Sequence, residues 1–62
     1  MYLLILNLVV TGQFPKQLTM EMYIDKKTCE EHRIIEQKKM DKDRLSPEYA
    51  DVKTAVLKCK KA

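Results

Sequence analysis

The chain has 62 residues, 12 of them Lys or Arg and 9 Asp or Glu, for a formal net charge of +3. That length holds one domain, residues 1–62. A chain this short buries only about 60% of its unfolded surface, so a disulfide, a metal or a second subunit is a common supplement. The mild positive charge falls short of the dense basic stripe of a dedicated nucleic-acid binder, and the single glycine, Gly12, excludes a glycine-rich phosphate loop.

The first ten residues, MYLLILNLVV, carry no charged side chain. A bilayer-spanning helix needs about 20 apolar residues, and this run stops at Val10, before Gly12, Gln13, Pro15 and Lys16. No membrane span is expected. Val10 and Gly12 resemble the small residues before a signal cleavage site. However, no Lys or Arg precedes the run and Asn7 interrupts it, so a cleaved signal is not expected. Leu, Ile and Val ended by Gly and Pro read instead as a strand. The run is apolar at odd and even positions alike, which predicts a strand covered on both faces. One face meets the chain's own helix. The other, with Leu3, Ile5 and Val9, needs a further cover, and a second copy of the chain is the expected one.

Leu18–Asp25 alternates: Leu18, Met20, Met22 and Ile24 on one face, Thr19, Glu21, Tyr23 and Asp25 on the other. This predicts a half-buried strand, joined to the first as a hairpin through Thr11–Gln17. Asp25 and Thr28 are both helix N-cap residue types, and Thr28 with Glu31 has capping-box spacing. Glu30 and Glu31 suit the helix start and Lys38 and Lys39 its end, so a helix is expected over roughly Lys26–Lys42. Its apolar stripe, with Ile34, Ile35 and Met40, is weak.

Ser46-Pro47-Glu48 is a second helix start. From Val52 to Lys60 the pattern fits a helix, with Val52, Ala55, Val56 and Cys59 on one face. It also fits a strand, with Ala55, Leu57 and Cys59 on one face. A helical turn at Pro47–Ala50 followed by a strand is the preferred reading. The expected fold is α+β, a ββαβ domain. Its three-stranded antiparallel sheet has order 2-1-3, with one main helix on one face, and dimerises through the sheet. In that topology the last strand runs down beside the first and brings Cys59 near Cys29.

Cys29 and Cys59 are the only cysteines, so one intramolecular pairing exists. A disulfide closing about 30 residues would stabilise by roughly 3–4 kcal/mol in the chain-entropy model. It belongs to an oxidising compartment, and two reduced thiols belong to the cytosol; both readings stand at this point. His32 lies one helical turn after Cys29. With Cys59 it gives three zinc-type ligands, and a closed site would need Glu36 or a second chain as the fourth. Cys29 with His32 as nucleophile and base lacks a third member and an oxyanion hole. An exposed helical histidine is the plainer account, and neither a metal, a cofactor nor an enzymatic activity is expected. Lys26 and Lys27 at the helix start, with Lys58, Lys60 and Lys61 at the chain end, form a candidate site for phosphate, a nucleotide or a nucleic-acid backbone. A solvated surface that keeps a small protein soluble is the competing account.

Met1-Tyr-Leu-Leu-Ile-Leu, Gly12, Tyr23 and Cys29, with five residues between Tyr23 and Cys29, resemble a family of short uncharacterised proteins of enterobacterial phages and prophages. The resemblance covers roughly the first 35 residues. Beyond it this chain is more basic, lacks the extra early cysteines and has an insertion around Arg44–Asp51. The resemblance implies a phage-type origin and carries no known activity or site residues. Together these readings lead to an expected small non-catalytic homodimer in the host cytoplasm. It would bind and block a host defence factor or sequester a small anionic, nucleotide-like ligand; binding of nucleic acid is the weaker option. The alternative is a disulfide-stapled periplasmic or envelope-associated structural protein.

Overall fold

The computed structural model describes residues 1–62 and has the elements β1 (Tyr2–Val10), β2 (Lys16–Tyr23), α1 (Lys26–Asp43), a 3₁₀ turn (Pro47–Tyr49) and β3 (Val52–Lys61). The strands form one antiparallel sheet in the order β2-β1-β3, with α1 on one face. This is the α+β ββαβ fold that the sequence predicts. The uncharged N-terminal run is the central strand, and no helix is long and apolar enough to cross a membrane.

Strand register explains the core. Leu4 pairs with Cys59, Leu6 with Leu57 and Leu8 with Ala55. Directly opposed residues share a face, so these side chains all point towards α1. Leu4, Leu6, Ala55, Leu57 and Cys29 make one buried cluster, bordered by Tyr2, Leu8, Tyr23, Met40, Val52 and Cys59. Cys29 is the one buried residue of α1, as its weak apolar stripe implies. The helix is therefore held by more than apolar contact. Cys29 and Cys59 lie at disulfide-bonding distance, with their Cα atoms 6.1 Å apart. One turn of helix beyond mid-length, Gln37 reaches the outer edge of β3. Its Nε2 donates to the Ala55 carbonyl (2.9 Å) and its Oε1 accepts from the Leu57 N–H (2.8 Å). A primary amide has the same donor–acceptor pair as a peptide unit, so Gln37 stands in for a neighbouring strand. Further along, Arg44 Nη2 donates to the Lys53 carbonyl at 2.6 Å.

β2 differs from the expected half-buried strand. Leu4 faces Glu21 but Ile5 faces Thr19, so Met20 is an extra residue and β2 is bulged there. A one-residue insertion swaps faces beyond it. Leu18, opposite Leu6, lies on the helix side, whereas Met22, opposite Leu3, lies on the other. The apolar alternation Leu18-Met20-Met22 is thus split between two faces. Leu18, Met20 and Met22 all stay about half exposed, because α1 packs over β1 and β3 and leaves β2 at its margin.

Thin packing follows. Six residues of 62 are buried, and the accessible surface is 4852 Å². A compact monomer of 7.3 kDa exposes about 4,200 Å². The radius of gyration, 12.3 Å, likewise exceeds the roughly 10.6 Å of a compact chain of this length.

Two outcomes are expected. Gln37→Ala leaves the Ala55 carbonyl and the Leu57 N–H unpaired at a part-buried site and lowers stability by about 1–3 kcal/mol in urea unfolding. Gln37→Glu also loses stability, since a carboxylate cannot donate to the carbonyl. Adding reductant removes the Cys29–Cys59 link and costs roughly 3–4 kcal/mol by the same assay. Two alkylations of the native, unreduced protein, read by intact mass, would show that the link is not formed.

Candidate binding surface

The sheet face away from α1 has no element over it. It is built from alternate residues of all three strands. β1 contributes Leu3, Ile5, Asn7 and Val9. β2 contributes Gln17, Thr19 and Met22. β3 contributes Thr54, Val56, Lys58 and Lys60. Leu3, Ile5 and Val9 therefore share the open face as predicted. They form a narrower apolar stripe than the sequence implies. Ile5 is only 6% exposed although nothing covers it, because Thr19 and Lys58 flank it on the neighbouring strands. Leu3 and Val9 are half-buried. At the centre, Asn7 Oδ1 accepts from Gln17 Nε2 at 3.2 Å, a polar cross-strand pair on the same face. The result is a narrow apolar line on β1, broken by Asn7, flanked by Gln17, Thr19, Thr54 and two lysines and widened only by Met22 beside Leu3 and Val56 beside Asn7.

The five lysines of the anion-site expectation divide between two faces. Lys26 and Lys27 open α1 on the helix side. Lys58 and Lys60 sit opposite Ile5 and Leu3, on the open side. The reason is strand periodicity. Cys59 is drawn to Cys29, so its neighbours must point the other way. Lys61, opposite Tyr2, is the β3 lysine on the helix side. The helix N-terminus is moreover occupied by the chain itself. Asp25 is its N-cap, and Oδ1 accepts from the Thr28 N–H at 2.7 Å. Hydrogen bonds from Thr28, first from its backbone and then from its side chain, together with the nearby Lys27 charge, hold the Asp25 carboxyl below its ordinary 3.8. Thr28 is thus a donor to the cap and not the cap.

The residues weighed as metal ligands or catalysts are placed otherwise. Cys29 and Cys59 face each other, and His32 stacks on Tyr23 with ring centroids 4.8 Å apart and planes 20° apart. No group of three or more His, Cys, Asp or Glu side chains converges as a metal site. Tyr23 sits beside Glu21 and Glu36; desolvation first, and then those two carboxylates, raise its hydroxyl above 10.0.

Two features escaped the sequence reading. One is the pair of edge-capping side chains, Gln37 and Arg44, which in sequence look like ordinary polar helix positions. The other is an apolar cavity of about 300 Å³ at the C-terminal end of α1, between Leu6, Leu8, Met40, Tyr49 and Val52. Its lining comes from four separate segments, and no local pattern announces it. Comparison with known protein families, with characterised proteins and with solved structures finds none that matches this chain.

The Asp25 cap has a pH signature. A carboxyl held below its unfolded value stabilises the fold above that value and loses the effect as pH falls through the folded one. Asp25→Ala therefore melts below the wild type at neutral pH. The gap closes as pH drops from 3.8 through the lower folded-state value, as thermal circular dichroism would read.

Proposed function

We propose that this chain is a small non-catalytic binding protein of phage type, working as a homodimer that blocks a host protein from its place in the host cytoplasm. The observation that supports it is the uncovered sheet face. It presents an apolar line through Leu3, Ile5 and Val9 with Lys58 and Lys60 beside it, a pattern that suits a partner with an apolar ridge and an acidic rim. A rigid sheet gives such a partner a preformed surface at low ordering cost. The division of the lysines between two faces favours a protein partner over a small anionic ligand. The N-terminal resemblance to short phage and prophage proteins agrees with a host-directed role. The periplasmic alternative draws on one observation, the approach of Cys29 to Cys59, which an oxidising compartment would lock.

The test compares the wild type with Val9→Asp and with Lys58→Glu/Lys60→Glu, all checked for native circular dichroism. Each is used to capture protein from an enterobacterial lysate. The expected result is one host protein retained by the wild type, lost by both variants, and inhibited when bound. Retention that ignores both variants overturns the reading. A thermal shift with nucleotides, lost in Lys26→Ala/Lys27→Ala, would move it to a small anionic ligand.

A further inference from the structure

A three-stranded sheet has two edges, and this chain treats them differently. The β3 edge is shielded by its own helix. Gln37 takes the outward-facing Ala55 carbonyl and Leu57 N–H, and Arg44 takes the Lys53 carbonyl. On the β2 edge the one such contact is local: Glu21 Oε1 accepts from the Met22 N–H at 3.3 Å, and no side chain of α1 hydrogen-bonds this strand. It is eight residues long and contains no proline. Its side chains from Lys16 to Met22 are all exposed, with Leu18 at 46% and Met20 and Met22 at 50%. An open, apolar edge strand is a template for a further strand, and proteins normally block it. Here the blocking is spent on the other edge.

We propose that the β2 edge is the docking site for a second copy of this chain, β2 against β2 and antiparallel, giving a closed two-fold dimer with one six-stranded sheet. The proposal rests on the homodimer reading above and names its contact. Three observations support this occupant. The first is charge. Lys16 and Glu21 lie near opposite ends of β2, and both are on the helix side, opposite Leu8 and Leu4. Antiparallel self-pairing sets Lys16 of each copy towards Glu21 of the other, twice, so the strand is complementary to itself. The second is exposed apolar surface. Leu18 is 46% exposed and Met20 and Met22 are 50% exposed on this strand, apolar area that pairing with a second copy would partly remove from water. The third is closure. With both β3 edges capped by Gln37 and Arg44, the sheet stops at two copies and does not grow into a filament. The two-fold axis stands perpendicular to the sheet, so both helices fall on one side. The two open faces then join into one surface, with Lys58 and Lys60 towards each outer margin.

The experiment is sedimentation equilibrium on the full chain, with hydrogen exchange of the backbone amides at low and high protein concentration. The expected species is twice the 7.3 kDa of one chain. Lys16→Glu and Glu21→Lys, both exposed and away from the core, each weaken the dimer by about threefold to tenfold, and the double reversal restores it. Amides of β2, and not those of β3, gain protection as concentration rises. Should the dimer ignore both reversals and dissociate with Val9→Lys, the contact is the open face; the edge proposal then fails while the homodimer stands. A chain that stays monomeric at all concentrations overturns both. Assemblies larger than two overturn the closure.

Discussion

The approach of Cys29 to Cys59 is the constraint on which the remaining architecture depends. Six buried residues give little apolar burial to hold an 18-residue helix against a sheet, and only one of the six, Cys29, belongs to that helix. Where the pair is oxidised, a cross-link across this 30-residue separation would contribute roughly 3–4 kcal/mol, on the scale of what a core in so small a chain supplies; reduced, the two side chains still pack against each other in the same place. It also fixes direction. Tying the first turn of α1 to the far end of β3 orients the helix over β1 and β3, where Gln37 and Arg44 can reach the outer edge of β3. The same tie sets which β3 residues face α1 and so sends Lys58 and Lys60 to the open face. Stability, edge protection and surface charge thus share one cause.

The bulge at Met20 is the second decision point. In an unbulged β2, Leu18, Met20 and Met22 would all share one face. With Met20 inserted between Glu21 and Thr19, Leu18 and Met22 fall on opposite sides. Glu21 and Tyr23 move to the helix side, where Tyr23 stacks on His32 and Glu21 adds its charge near the phenol. Neither sheet face becomes strongly apolar at β2. The apolar character stays at the strand's edge, and an edge recruits through backbone hydrogen bonds, with side chains setting selectivity.

The open face and the β2 edge perform complementary tasks in the functional reading. A face one apolar strand wide is modest as a contact in a single copy. In the proposed dimer, two copies joined at β2 would present two such lines on one continuous surface. Small binding proteins gain reach in this way without added chain length, since a rigid dimer aligns two weak surfaces for one partner.

Much of the fold was legible in the sequence because its signals are local. An uncharged Leu/Ile/Val run ended by Gly12 and Pro15, an Asp25 cap, and Ser46-Pro47 each act within a few residues, and they placed β1, α1 and the 3₁₀ turn. Chain direction then placed β3 beside β1 and brought Cys59 to Cys29. What tertiary structure decided is whatever depends on register and on helix placement. The sequence of β2 alternates, yet its pairing with β1 carries a bulge at Met20, which splits that alternation between two faces and depends on the register with β1, not on any local pattern. Five lysines at one end of the domain looked like one cluster, and the pleat of β3 sent Lys58 and Lys60 to the face opposite the other three. Gln37 reads as a solvent-facing polar residue until the helix lies across β3, when its amide becomes the missing strand. Local chemistry fixes which elements form; the distances between elements fix which edge is closed, which is open, and where the charges stand.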